Sequence, residues 1–462
     1  MEFKGLNIDI KNKPVFEPDF IPVYRYVTAY VKGANQPYAF ALERNNGNIS
    51  KFSTMVYGTK EQHELDIFYL KLLIRASLNF WGGWKLYLCG NEELSAALKD
   101  YYLSGETKLD SINFAEKAFS REFTIEILPF ESCPSVKEQP RSLGFHLDGC
   151  RIGFDAGASD RKVAAVVDGE TIYAEEVLWY AKFRSDIDYH YNEIVTAFKT
   201  AASKMPRVDA IGVSTASLVV DNRLKFTSFF KMIPPEIAET EGADIYLRAA
   251  KEIGDDIPIT ILTDGAVSAL AGAMVLNKKS LLGIAVGTSI GMGYIDSDGK
   301  VSDRSVGLAS NKVSLNEDAP IDEWGNEVGV GDSYFSQNQV IRLAEKIGIE
   351  MPEDLYPAEK LLIVQEQMEN DHPEVRKIYE HIGCCLAHTL PLCGLFFDLE
   401  NVYLCGRVFS NKGGELILSE CQRILAEEYP EFNKQITVWL PDEKARRVSQ
   451  SVAAASLPEI TK

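Results

Sequence analysis

One arrangement of short apolar runs and tight turns occurs twice in this chain, and that duplication restricts the fold more than any figure of composition. The first copy opens on Cys150-Arg151-Ile152-Gly153-Phe154 and turns through Asp155-Ala156-Gly157-Ala158-Ser159. A second run, Val163 to Val167, ends at Asp168-Gly169, and Thr171 to Ala174 returns. Asp-Gly between β-like runs signals a hairpin. The second copy runs from Leu281 to Val286, through Gly287-Thr288-Ser289-Ile290-Gly291, along Gly293 to Ile295, and through Asp296-Ser297-Asp298-Gly299 into a strand at Lys300. After the first copy the spacing predicts a helix over 191–204, a strand over 209–214, a helix over 244–253 and a strand over 258–262. After the second it predicts helices over 337–347 and 375–392 and a strand over 401–404. Three strands followed by alternating helices and strands imply a mixed sheet with helices on its faces. Two such halves imply a cleft between them.

Upstream the sequence leaves two readings level, a degenerate third copy and an unrelated α/β domain. Tyr26 to Val31 is β-like, Lys32 to Asn35 turns, and Tyr38 to Leu42 and Asn48 to Val56 follow as strands. Leu65, Phe68, Tyr69, Leu72, Leu73 and Ala76 then fall at helical spacing, before a strand at Lys85 to Leu88 and a helix from Asn91. Tyr87-Leu88-Cys89-Gly90 recurs as Tyr403-Leu404-Cys405-Gly406. Lys32 to Asn35 has no aspartate, so this region is assigned no phosphate chemistry. Ser132 to Pro140, rich in proline and polar residues, reads as a linker. The aromatic stretch Asn79 to Trp84 reads as a turn packed on the N-terminal core.

The 462 residues carry a formal net charge of −19. An acidic surface repels phosphate backbones, which argues against nucleic acid and anionic membranes as partners. Met1 to Phe20 alternates charged and apolar residues, unlike a signal peptide, and no run of about 18 apolar residues offers a membrane span. The eight cysteines lack the spacing of a disulfide framework and read as reduced, buried thiols of a cytoplasmic protein.

Phosphoryl transfer needs backbone donors around the phosphates, a metal ion and a base aligned with the acceptor hydroxyl. Asp155, Gly157, Ala158 and Ser159 suit part of that role: the glycine permits close backbone approach, and the carboxylate suits a hydrated magnesium ion. An ordinary hairpin turn is the competing reading. Gly287, Thr288, Ser289 and Gly291 are more specific, since a plain turn rarely needs two glycines and two hydroxyls. Asp264 ends a β-like run and opens a small-residue helix. It reads as a general base or as a helix cap, and spacing alone favours the cap. Gly406 and Arg407 follow the last strand, and Lys412-Gly413-Gly414 opens a helix over 415–425, a strand–glycine turn–helix that suits an adenosine. His381, Cys384, Cys385 and His388 share one helix face. Four such ligands on a single helix do not surround one ion tetrahedrally, and a buried apolar helix is the favoured reading.

In order and spacing these segments resemble the hexokinase–actin superfamily and, within it, the ROK family of sugar kinases and transcriptional repressors, over about Arg151 to Leu457. Leu281 to Tyr294 resembles the family's second phosphate loop, Thr263-Asp264-Gly265 its catalytic segment, and Ala445 to Ala455 its small-residue terminal helix. The resemblance implies an α/β fold of duplicated RNase H-like domains, 146–275 and 276–444, with a cleft between them. An added α/β domain, 1–145, would precede them, and a helix within 445–460 would pack back on the first half. It implies ATP and Mg2+ as cofactors, with Asp155 holding the metal through water and Asp264 as base. The Gly157 and Gly287 loops would hold phosphates, and Gly406, Arg407, Gly413 and Gly414 would face adenosine. Thr263, Ser214 and Asn311 would face the acceptor. The implied activity is transfer of the γ-phosphate of ATP to a hydroxyl of a small molecule, a sugar by the family's habit. The alternative is a nucleotide- or sugar-binding regulator or scaffold without catalysis. A homodimer is compatible with the resemblance.

Departures from the family pattern are specific. Its Glu-x-Gly-His sugar segment corresponds to Gly307-Leu308-Ala309-Ser310-Asn311, with no acid and no histidine. Its cysteine-rich zinc motif corresponds to Asp322-Glu323-Trp324-Gly325-Asn326, so no structural zinc is expected there. Thr263 stands for the asparagine before the catalytic aspartate, and Cys405 for a glycine of the adenosine motif. The repressors' winged helix-turn-helix has no counterpart in residues 1–140, so DNA binding is not expected.

Overall fold

A computed structural model describes residues 1–104, 110–139, 143–157, 160–304, 307–323, 326–440 and 450–460. The run expected as a first strand, Tyr26 to Val31, is instead part of helix α1 (Val23–Val31). Val23, Tyr26, Val27 and Tyr30 are buried, at intervals of three and four, so helical periodicity overrides the β propensity of tyrosine and valine. Then come β1 (Gln36–Glu43), β2 (Ile49–Val56), α2 (His63–Phe80), β3 (Lys85–Cys89), α3 (Glu92–Leu103), α4 (Asp110–Phe119) and β4 (Thr124–Leu128). These strands lie in the order β2-β1-β3-β4, with β1 antiparallel to both neighbours.

The first half contains β5 (Cys150–Ala156), β6 (Asp160–Val167), β7 (Glu170–Leu178), α5 (Ile187–Ala202), β8 (Ala210–Thr215), α6 (Ile245–Lys251), β9 (Ile259–Thr263) and α7 (Asp264–Leu276). Its sheet runs β9-β8-β5-β6-β7, with β5 antiparallel to β6 and parallel to β8. The second half contains β10 (Leu281–Val286), β11 (Ile290–Ile295), α8 (Gln337–Lys346), α9 (Pro357–Glu369), α10 (Pro373–Cys393), β12 (Asn401–Cys405), α11 (Asn411–Glu428) and β13 (Thr437–Trp439). Its sheet runs β11-β10-β12-β13, again with a hairpin first and a parallel crossover next. The strand expected at Lys300 is reduced to a single bridge between Ile295 and Val301. In the N-terminal sheet β3 runs antiparallel to β1, where β8 and β12 run parallel to β5 and β10. That sheet does not repeat the topology of the halves, and the third-copy reading gives way to a separate α/β arrangement.

Small residues join the pieces. Helix α7 lies directly on the β10–β11 hairpin: a Cβ at Gly293 would approach Ala266 Cα to 2.4 Å, and one at Gly283 would approach Ala269 Cα to 2.6 Å. The helical residues 450–455 cross the first sheet in the same way, over Gly153 and Gly212. A continuous apolar core unites the N-terminal unit with the second half, while the first half has its own around Phe154, Phe198 and Tyr246. Phe80 and Trp81, from the aromatic stretch, lie with ring centroids 5.2 and 5.4 Å from Phe396 of the second half. That stretch is therefore the seam between the N-terminal unit and the second half.

The His/Cys face of α10 holds the N-terminal segment. His388 donates from Nε2 to the Asn12 carbonyl at 2.8 Å and accepts at Nδ1 from the Tyr429 hydroxyl at 2.6 Å. His381 accepts at Nδ1 from the Phe16 amide. Burial pushes His388 down to about 4 and His381 down to about 3. The unfolded chain takes up these protons near pH 6.5, so their contribution is complete above that pH and is lost as pH falls toward 4. Urea midpoints are expected to drop between pH 7 and 4.5, with about 2 kcal/mol traceable to His388. A slope unchanged in His388→Gln would refute this. All eight cysteines are buried. Among the described residues no helix is long and apolar enough to cross a membrane.

Candidate active site

The cleft between the halves encloses about 1260 Å³, and the N-terminal unit closes one side of it through Arg44, Asn45 and Asn46. Asp264 stands where β9 passes into α7. Its Oδ1 accepts the Gly265 amide at 2.7 Å and the Thr263 hydroxyl at 3.3 Å. Protein surrounds the carboxyl except for a partial opening to the cleft. Burial, and then the nearby charge of Asp155, push it up to about 6. Directly opposite is Gly291, where a Cβ would come within 2.9 Å of Asp264 Oδ1. This glycine lets the second hairpin pass against the carboxylate.

The Gly287-Thr288-Ser289 turn lines the same cleft. Ser289 donates to Asp332 Oδ1 at 2.7 Å, and Thr288 Oγ1 accepts from Gln337 Nε2 at 3.2 Å. The Gln337 amide, at the start of α8, bonds the Gly287 carbonyl at 2.9 Å. A Cβ at Gly287 would meet nothing within 4 Å, so the glycine leaves open space in the cleft where a ligand's oxygens fit against backbone. Asp332 and Gln337 escaped sequence reasoning, because nothing local links them to a turn more than 40 residues upstream.

Asp155 departs from its expected role. Its carboxylate is buried, accepts the Ser214 hydroxyl at 2.7 Å and lies 3.8 Å from Lys162 Nζ. It does not line the cleft; Lys162 does. The ammonium also lies 3.1 Å from Asp160 Oδ1. Burial opposes its charge, but the Asp155 and Asp160 carboxylates prevail and raise its pKa. Beside the carboxylate expected to hold a hydrated Mg2+, the structure thus places a lysine ammonium. Lys162 was missed, yet it is the cross-strand partner of Asp155 in the β5–β6 register, which counting through the hairpin would have found. Ser214 holds Asp155 and does not reach the cleft. Gly157 and Thr263 line the cleft, whereas Ala158 and Ser159 lie outside the described residues.

Gly406 and Arg407 also line the cleft, and Arg407 NH2 pairs with Asp160 Oδ2 at 3.1 Å, tying the two halves together. Gly413 and Gly414 do not line it. A Cβ at Gly413 would strike the Tyr379 ring at 2.3 Å, and one at Gly414 would strike the Phe409 carbonyl at 2.1 Å, so both serve packing within the second half. Asn311 is likewise absent from the lining; it is buried, donates to the Gly307 carbonyl at 2.7 Å and accepts from Asn79 of α2. Upstream of the Gly307–Asn311 segment, an ion network joins the N-terminal unit to the second half. Arg44 lies 3.3 Å from Asp303, and both Arg44 and Arg304 reach Glu138.

Comparison with solved structures shows that this chain has the fold of ROK proteins. It is similar to a ROK family glucokinase from Streptomyces griseus in complex with glucose and AMPPNP, at a TM-score of 0.51 and 18% identity over 66% of this chain and 98% of that one. It is also similar to a ROK hexokinase from Thermus thermophilus (TM-score 0.48, 16% identity, 66% of this chain and 97% of that one). A ROK transcriptional regulator homologous to the E. coli MLC protein matches with a TM-score of 0.49 and 15% identity, over 79% of this chain and 87% of that one. No family model matches the chain, and no curated protein does.

Proposed function

We propose that this chain, a divergent bearer of the ROK fold, is an ATP-dependent phosphotransferase that moves the γ-phosphoryl group of ATP to a hydroxyl of a small molecule, with a sugar as the acceptor class. The observation that carries the reading is the approach of Asp264, with its carboxyl near 6, to the Gly287–Gly291 turn across the interface of the halves. A base with that pKa is ionised at neutral pH and still accepts a proton readily. In this reading Asp264 removes the acceptor's hydroxyl proton as its oxygen bonds to the γ-phosphorus, and ADP leaves. The turn's backbone and the Thr288 hydroxyl orient the phosphates. Lys162 and Arg407 supply positive charge from the two walls. Closure of the halves excludes water, which protects ATP from hydrolysis. The reaction would take place in the cytoplasm.

A second reading, a nucleotide- or sugar-binding regulator without turnover, draws on the burial of Asn311 and on the lysine beside Asp155. Phosphate transfer to any of a panel of aldohexoses separates the two.

Isothermal titration with ATP is expected to give saturable binding to the wild type and none to Gly287→Trp, with the two melting temperatures equal because the added side chain enters open cleft. Absence of binding to the wild type at millimolar ATP would end the nucleotide reading.

A further inference from the structure

Three aromatic rings with large exposed surfaces stand together beside the cleft, which Phe183 lines. Tyr180 and Phe183 follow β7 in the first half, and Tyr356 caps α9 in the second. They are 41%, 50% and 53% exposed. The Tyr356 ring centroid lies 6.4 Å from that of Tyr180 and 5.5 Å from that of Phe183, with planes 35° and 47° apart. Two rings that sandwich a third need about 7 Å between them, twice the contact distance of carbon atoms. Opening by about 1 Å would therefore admit a planar ring. Tyr180 also holds a left-handed backbone, with φ of 49°, unusual for an aromatic residue and a mark of a site that orients a side chain.

The surroundings specify the ring's chemistry. Lys182 and Lys231 line the cleft beside Phe183. Burial and the charge of Lys231 lower the pKa of Lys182, whose ammonium lies 5.0 Å from the Phe183 ring centroid. Helix α9 is tied to the Gly406–Arg407 turn by a 2.7 Å bond from Gln365 to the Arg407 carbonyl. Nine residues of helix, roughly 13 Å, separate Gln365 from Tyr356. Gly406 lies against Val286, so a nucleotide with its phosphates at the Gly287 turn would reach the rings if its base ran along α9. The alternative seat for the base, at Gly413 and Gly414, is filled by Tyr379 and Phe409.

We infer that Tyr180 and Phe183 from one half and Tyr356 from the other clamp the purine base of the nucleotide, so that base stacking couples ATP binding to closure of the cleft. The inference rests on the proposed nucleotide function and adds the seat of the base. Titrations of ATP and of inorganic tripolyphosphate into wild type, Tyr356→Ala and Tyr356→Phe test it. The clamp requires ATP affinity to fall by about 10-fold in Tyr356→Ala, within the range for loss of one stacked base, and to recover in Tyr356→Phe. Tripolyphosphate affinity should stay constant throughout. Unchanged ATP affinity in Tyr356→Ala would overturn the clamp while leaving nucleotide binding intact. An equal loss for both ligands would also overturn it, assigning the rings to contact between the halves. No ATP binding by the wild type would remove the underlying function together with the clamp.

Discussion

Asp264→Asn is expected to slow phosphoryl transfer by about 10²–10⁴-fold while ATP affinity is retained. The amide keeps the size of the carboxyl, and its oxygen still accepts the Gly265 amide, so the α7 terminus is preserved. What it cannot do is take a proton. In the wild type the rate should rise with pH, reach half its plateau near pH 6 and level off above 7, because only the ionised carboxyl is a base. Stability should move the opposite way. A folded-state value of about 6, raised from 3.8, means that the folded protein resists ionising this group. No penalty exists below about pH 4, where both states are protonated; it grows as pH rises and is complete above about 6. The amide removes it, so the variant should be more stable at neutral pH by roughly 1–2 kcal/mol, after allowance for the carboxyl's opening to the cleft. Release of ADP in the presence of aldohexoses and urea midpoints at pH 4 and 7.5 measure both halves of this expectation. Full turnover in the variant would remove Asp264 as the base.

The parts of this fold that the sequence disclosed are those whose causes lie within a few residues. Asp168-Gly169 marks the β6–β7 turn, and apart from the strand expected at Lys300 the helical and strand runs read in both halves fall close to where their periodicity puts them. Tyr26 to Val31 misled because tyrosine and valine favour strands, while the burial that decides the matter comes from distant packing. The union of the N-terminal unit with the second half was equally hidden, since Phe396 meets Phe52, Phe80 and Trp81 across more than 300 residues. At the site, local turn chemistry marked Gly287 and Asp264. The glycines Gly413 and Gly414 were read as ligand contacts because a sequence does not show which neighbour claims the space a missing Cβ leaves. Asp155 was read as a metal ligand because its partner Lys162 becomes visible only once the strand register is set.

Gly406→Ala is expected to destabilise the protein by about 2–6 kcal/mol, the combined effect of a strained backbone and an overpacked contact. Gly406 has φ of 99°, and a Cβ there would lie 2.2 Å from the carbonyl oxygen of Val286 and 2.6 Å from its nitrogen. Neither neighbour yields easily, because Val286 ends β10, the strand hydrogen-bonded on both sides by β11 and β12. Any shift that relieves the clash moves Gly287, the next residue, so ATP affinity should fall together with stability. Gly287→Ala provides the contrast. Its φ lies outside the left-handed region and its Cβ would meet nothing within 4 Å. The folded protein should accept that methyl without loss, or gain about 0.4–1 kcal/mol from a stiffer unfolded chain. Its ATP affinity should still fall, since the methyl fills the space left for phosphate oxygens. The two substitutions add the same methyl on either side of one strand end, so urea midpoints and ATP titrations on the pair separate packing from binding. Equal stability of Gly406→Ala and wild type would contradict the close approach of β10 to the Gly406 turn. Undiminished ATP affinity in Gly287→Ala would move the phosphates away from this loop.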